Sequence, residues 1–311
     1  MTEAKDPDKK DAAPEPKTGP ETSKAEPKEE KAETPASDEA AQSTDNSETS
    51  SKSEFEDALA LDRRLGDFLL SLGFFTRLPV PMDEETAARP LSDAAWAFPV
   101  IGTIIGIVGG LIAALAAGLP ALAAGLIAIG AMACLSGALH EDGLADCADG
   151  LWSGESAEAR LAIMRDSRIG AFGVIALVIF IGLKASAIAQ LLTIGGVWAA
   201  ALAIVAAAAA SRGLLPITMS VLPLAGKTGR AAEAGQPDKQ DMIASAGLAV
   251  LIALLTIGFV PSVFGLVAGG VFAAALGYLA VKRIDGYNGD VLGAQQQILE
   301  TAILLAAAAA I

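Results

Sequence analysis

Histidine occurs once and cysteine only twice in this chain of 311 residues. Two cysteines cannot build a disulfide framework. Cys147 would be one soft ligand among hard carboxylates, which argues against zinc, so Cys134 and Cys147 read as small packing residues. A surplus of basic charge is also missing. The formal net charge is −14, and no electrostatic footprint for nucleic acid is present. The first 57 residues lack an early apolar core and so do not read as a signal peptide.

What the chain has in abundance is apolar sequence: 53% of residues are hydrophobic and the mean hydropathy is +0.49. Charge is unevenly spread. Residues 1–57 hold 17 acids and 8 bases, whereas 58–311 hold 19 and 14. The tail lacks apolar periodicity and cannot bury enough surface to fold, so 1–57 is expected to be disordered. Residues 58–311 then form a membrane-embedded domain.

Apolar residues recur at helical spacing over 59–76, with Asp62, Arg63, Arg64 and Asp67 between them. This predicts an amphipathic helix lying on a membrane surface, stopped by Pro79 and Pro81. Seven apolar segments of roughly spanning length follow, near 97–118, 120–139, 171–193, 197–220, 243–260, 262–281 and 291–311. The expected fold is an all-α polytopic bundle of seven transmembrane helices. Gly102, Gly106 and Gly110, four residues apart, should let a neighbouring helix approach the first span closely. The connections at 140–170, 221–242 and 282–290 hold almost all the remaining arginines and lysines, while the others are short and uncharged. By the positive-inside rule the polar loops face the cytoplasm.

The stretch 140–150 is the most informative. It contains His140 and four carboxylates within eleven residues. Asp142, Asp146 and Asp149 are spaced i, i+4, i+7, which on an α-helix gathers them on one narrow face, with Leu144, Ala148, Leu151 and Trp152 opposite. Three acids on one face repel each other unless a cation sits among them, and hard oxygen donors suit Mg²⁺ bound together with substrate phosphates. The competing reading is a solvated acidic loop.

Further polar residues follow. Asp166 could complete a metal shell, and Arg168 offers a planar fork for phosphate oxygens, although Arg165 and Arg168 also suit interfacial anchors. Lys184 and Arg212 lie inside apolar segments, where a cation needs either a partner or a function. Asp290 opens the last span as a second-metal or substrate ligand. Behind it, Gln295, Gln296 and Glu300 project from an apolar helix. The loop around Lys227 lacks the spacing of a phosphate loop.

Taken together, these pieces resemble the cobalamin synthase family, also called adenosylcobinamide-GDP ribazoletransferase. The matching stretches are Phe75-Thr76-Arg77-Leu78-Pro79, the 140–150 run with Leu151, Asp166-Ser167-Arg168-Ile169-Gly170, Ser211-Arg212 and Gly289-Asp290-Val291-Leu292-Gly293-Ala294. They span about 65–311 in order. Departures are Glu141 in place of an aliphatic residue, Asp285 in place of glycine, Asn288 in place of threonine, and a poor match around Arg230.

The resemblance implies a Mg²⁺-dependent, multi-pass enzyme of the inner membrane with its active site facing the cytoplasm. Such an enzyme joins adenosylcobinamide-GDP to α-ribazole or α-ribazole 5'-phosphate and releases GMP. Asp142, Asp146, Asp149 and Asp166 would hold the metal. Arg77, Arg168, Lys184, Arg212 and Asp290 would bind substrate, with His140 or an aspartate of the motif as base. Its partners are those substrates and the lipid bilayer; self-association is left open. Two other readings compete: a CDP-alcohol-type lipid phosphotransferase, although Asp146 occupies that motif's arginine position, and a cation or metabolite transporter.

Overall fold

The computed structural model describes residues 61–226 and 229–311. The expected acidic tail and the start of the interfacial helix lie outside the described residues. Among these the chain is helical, with one isolated parallel bridge between Leu224 and Tyr287. Helix α1 occupies 61–75, and α2 (Glu84–Ala87) leads through a 3-10 stretch, Leu91–Ala97, into α3 (Phe98–Leu115). Next come α4 (Ala121–Ser136), α5 (Leu139–Ser153) and α6 (Ala157–Met164). Helix α7 (Ala171–Gln190) passes through a π turn, Leu191–Gly195, into α8 (Gly196–Gly213) and α9 (Leu215–Val221). The chain ends with α10 (Arg230–Ala234), α11 (Lys239–Ile257), α12 (Phe259–Ile284) and α13 (Gly289–Ala309).

Five stretches are long and apolar enough to cross a membrane: Leu91–Leu115, Ala171–Val221, Lys239–Ile257, Phe259–Ile284 and Gly289–Ala309. A sixth arises if α4 and α5, bent by 93°, count as one span. The protein is thus a polytopic helical membrane protein, and length and composition alone do not confirm the expected count of seven. Helix α4 ends after 16 residues, or about 24 Å at 1.5 Å per residue, short of the roughly 30 Å hydrocarbon core. The third and fourth expected spans count as one continuous helical stretch only because the link at Gly195-Gly196 is itself a helical turn. Within the merged stretch the chain reverses. Helix α7 runs in the same sense as α13, with Lys184 bonded to Gln297 and Gln190 to the Ala308 carbonyl. Helix α8 runs against it, with Gly195 beside Ile311 and Ser211 bonded to Gln296. Gly196, at φ 79°, makes the turn.

The glycine stripe does what its spacing predicts. A Cβ added at Gly106 would lie 2.6 Å from the Cα of Val205, and one at Gly110 would lie 3.0 Å from that of Ala201. On the α8 side, Ala206 through Ala210 are fully buried. Small residues on both helices therefore bring two backbones into contact, the packing mode available where lipid gives no hydrophobic drive.

Helix α1 is present over its described part, but its polar residues do not all face outward. Phe75 is buried and Phe68 and Leu72 pack on the core, while Leu61 and Leu65 stay exposed. Asp67 turns inward, paired with Arg89 at 2.5 Å and accepting from the Trp96 indole at 2.9 Å.

One turn positions the site. Helix α4 ends at Gly137 (φ 66°), where the Ala138 N–H donates to the Ala133 carbonyl at 2.7 Å and that of Gly137 to Cys134 at 3.3 Å. This is the paired closure of a helix by a left-handed glycine. Ala138 is left-handed too (φ 54°), a conformation costing an L-residue roughly 1–2 kcal/mol. Two consecutive left-handed residues swing α5 through the 93° bend, so it leaves the direction of the spans.

Candidate active site

Helix α5 forms over the acidic stretch as its spacing requires. Leu144 and Leu151 are buried on the far face, while Trp152 is exposed and covered by the Arg283 guanidinium at 5.5 Å. Cys147 is buried, as expected of a packing residue, and burial pushes its thiol pKa up; Cys134 is exposed, against expectation. Gly143 is the contact point with α13. A Cβ there would meet the Cα atoms of Asp290 and Gly293 at 3.2 Å. This close approach sets the α5 acids beside Asp290.

The three acids of the α5 face have different surroundings. Asp149 is buried, and its oxygens accept from the Gly170 N–H at 2.7 Å and the Gly173 N–H at 2.9 Å, capping the start of α7. Asp142 is exposed on the wall of two clefts. Asp146 is half-buried and lines neither cleft, and its pKa is pushed up to about 7, first by burial and then by the charges of Asp142, Asp290 and Asp149. Asp290 receives a 2.8 Å hydrogen bond from the Asn288 amide. Asn288 also caps α13 by accepting from the Val291 N–H at 3.0 Å.

Asp142, Asp146 and Asp290 are therefore brought together and Asp166 is not. Asp166 sits on the link to α7 with Arg168 at 2.6 Å, an exposed pair that holds its carboxyl at about 2. Among the described residues no three His, Cys, Asp or Glu are grouped so that they could hold a metal ion. What is present is an open carboxylate set with unneutralised charge.

The clefts differ in lining. One, a slot of about 100 Å³, is largely apolar and aromatic, with Phe75, Phe98, Met219 and His140 on its wall. Phe75 packs edge-on to Phe98 at 4.8 Å and stacks on His140 at 5.8 Å. His140 is buried and its Nδ1 has no hydrogen-bond partner among the described residues. Burial, then the charge of Arg212, holds the imidazole neutral, with its pKa well below 6.5. The other cleft is polar and enclosed by Arg165, Arg230, Asn288 and the backbone at Gly226 and Gly229. Asp142, Arg230 and Asp290 line both, so the clefts meet at the carboxylates.

The remaining expected substrate residues lie elsewhere. The Arg77 side chain is exposed and packs against Gly137 at the α4–α5 turn. Lys184 and Arg212 are buried in a network and line neither cleft. Lys184 donates to Gln297 at 2.7 Å and Glu300 at 3.1 Å, with Glu141 at 3.7 Å. Arg212 reaches Glu300 at 3.4 Å. The network ties α5, α7, α8 and α13 together.

Arg165 and Arg230 are the residues that sequence reasoning undervalued. Among the described residues neither has an ion-pair partner within 4 Å. The available signal was their position in basic connections beside the acidic stretch.

Comparison with known proteins places the chain in a family. The family described as cobalamin-5-phosphate synthase matches residues 67–308. The chain is similar to three proteins named adenosylcobinamide-GDP ribazoletransferase. That of Bradyrhizobium diazoefficiens is 39% identical over 247 residues, covering 79% of this chain and 94% of its own. The Mesorhizobium japonicum protein is 41% identical over 249 residues, covering 79% and 94%. The Brucella anthropi protein is 37% identical over 247 residues, covering 77% and 95%. No solved structure matches the chain.

Proposed function

The chain belongs to the cobalamin-5-phosphate synthase family, and from that premise we propose that it joins adenosylcobinamide-GDP to α-ribazole or its 5'-phosphate and releases GMP. The observation that carries this reading is the meeting of two unlike clefts at Asp142 and Asp290, with Asp146 beside them. A transferase with two nucleotide-bearing substrates needs two pockets opening onto one reacting centre. In this proposal the site faces the cytoplasm and the enzyme resides in the inner membrane.

In the reaction a ribazole hydroxyl oxygen forms a bond to the cobinamide-side phosphorus. The anhydride bond to GMP breaks, GMP leaves with that electron pair, and the hydroxyl proton passes to a base. Such transfers depend on positioning and charge neutralisation more than on covalent help from the protein. Arg165 and Arg230 supply fixed positive charge at the polar cleft, suited to phosphate oxygens. His140 is neutral and its Nδ1 is unpartnered, so we assign it the hydroxyl proton. Of the charges that act on the imidazole, that of Glu300 favours the imidazolium that results.

Mg²⁺ fits the donor set. Asp142, Asp146 and Asp290 are hard oxygen ligands with uncompensated charge, and an open set suits an ion that keeps waters and shares its shell with substrate phosphates. When bound there it would withdraw charge from the anhydride. Asp149 and Asp166 are less suited to hold it, because their oxygens already face N–H donors.

The test is to supply membranes containing the protein with adenosylcobinamide-GDP, α-ribazole and Mg²⁺. Cobamide and GMP should form in equal amounts, and not with Asp146→Asn at equal expression or after EDTA. Absence of cobamide from well-folded wild type would overturn the proposal.

A further inference from the structure

We infer that the two clefts divide the substrates by chemistry: the aromatic slot between Phe75, Phe98, Met219 and His140 takes the flat base of the acceptor nucleoside, and the Arg165–Arg230 cleft takes the guanosine diphosphate end of the donor. The inference rests on the transferase reading above and deepens it, since that reading does not say which substrate enters which side.

The first argument is hydrogen-bond satisfaction. Guanine carries donors and acceptors around its edge, and an apolar wall leaves them unsatisfied at substantial cost. The slot's wall offers Phe75, Phe98, Leu215 and Met219, with His140 as its buried polar group; its charged residues Asp142, Arg230 and Asp290 are those shared with the polar cleft, at the junction. A benzimidazole nucleoside presents an apolar, planar base with one ring nitrogen on its edge. Stacking on Phe75 and contact with the Met219 thioether suit such a base.

The second argument is size. The slot holds only about 100 Å³, below the range of pockets that enclose a whole drug-sized ligand. It has room for a small planar base and none for a corrinoid. The larger donor must therefore approach from the other side. The polar cleft is roomier, at about 650 Å³.

The third argument is charge. A diphosphate brought to Asp142 and Asp290 needs cations; Arg230 stands at the junction of the clefts and Arg165 lines the polar cleft alone. With the base in the slot, the ribose points out to the junction, where its hydroxyl meets the phosphorus beside His140 and Asp142. The slot then selects the lower base: a base with a hydrogen-bonding edge, such as adenine, enters it less well than a benzimidazole.

Arg165 lines only the polar cleft and Met219 only the slot, so their variants separate the sides. Arg165→Gln should raise KM for adenosylcobinamide-GDP about tenfold and leave that for α-ribazole within about twofold, the loss expected of one charged contact. Met219→Ala should do the reverse. Wild-type protein provides a check that no folding defect can mimic. Saturating GDP should compete with adenosylcobinamide-GDP and leave α-ribazole binding unchanged. Competition of GDP with α-ribazole, or crossed KM effects in variants that still form product, would overturn the division while leaving the transferase reading intact. Wild-type membranes that form no cobamide would overturn both.

Discussion

Gly143 of α5 and Gly293 of α13 stand back to back: a Cβ on either would lie 3.2 Å from the Cα of the other. This contact joins the two ends of the site in space, although 150 residues separate them in the chain. Because neither residue has a side chain, α5 can lie against the opening turn of α13, and Asp142 and Asp146 come beside Asp290.

Gly143→Val should therefore push α5 away from α13. Overfilling such a contact costs about 1–3 kcal/mol. Transferase activity should fall much further than stability, because the carboxylates separate before the bundle loosens. A purified variant with wild-type melting temperature and wild-type kcat would show that the contact does not set the site.

Asp149 provides a contrast within the same acid face. Asp149→Ala leaves the Gly170 and Gly173 N–H groups without their acceptor, a loss of about 1.5–3 kcal/mol for bonds to a charged group. Its inactivity should accompany a lowered melting temperature. Asp146→Asn should lose activity with its melting temperature kept or raised. If the two variants behave alike in both assays, Asp149 is not the cap of α7 that its geometry makes it.

Much of this arrangement was legible in the chain. The i, i+4, i+7 acids specified a helix with one charged face, and the Gly102–Gly106–Gly110 spacing specified a close helix contact; both depend only on local periodicity. The α4–α5 bend was harder to read. Gly137 suits a left-handed helix end, but Ala138 gives no such signal and adopts the conformation under tertiary constraint. Arg165 and Arg230 were undervalued because their common cleft exists only once the 223–225 segment is pinned to Tyr287, with the Ala225 N–H bonded to the Tyr287 carbonyl at 2.8 Å. Lys184 and Arg212 were recognised as cations needing partners. Glu300, the partner of both, lies 116 and 88 residues away, and pattern alone could not tell such an ion network from a phosphate site.

The Asp146 carboxyl gives a pH signature. Its folded value near 7 lies above its ordinary 3.8. Between these values the folded protein holds a proton that the unfolded chain has released. The associated stability is fully present below 3.8 and is lost as pH rises through 7. Without divalent cations the melting temperature should fall from pH 5 to pH 8, and Asp146→Asn should flatten that fall. Mg²⁺ should oppose it at pH 8 by binding the ionised form. An equally steep fall in Asp146→Asn would remove Asp146 as its source.

The network around Lys184 should behave as a balanced set of charges. Two cations, Lys184 and Arg212, face two acids, Glu300 and Glu141, and Gln296 and Gln297 add hydrogen bonds, while Glu141 Oε2 and Arg212 Nε have no partner among the described residues. Removing one member of a buried pair strands its partner, at a cost of about 3–5 kcal/mol. Lys184→Met leaves two acids against one arginine and should destabilise the bundle by that order. Adding Glu141→Gln restores the balance, with Glu300 and Arg212 left to pair. The double variant should therefore be more stable than Lys184→Met alone, a non-additivity of at least 1 kcal/mol by the usual scale for coupled residues. Thermal unfolding of the detergent-solubilised protein measures all four corners of the cycle. Strict additivity would mean that Lys184 and Glu141, 3.7 Å apart, do not share a charge balance. A phosphate-binding role for Lys184 predicts a different outcome, in which stability is unchanged and KM for the donor rises.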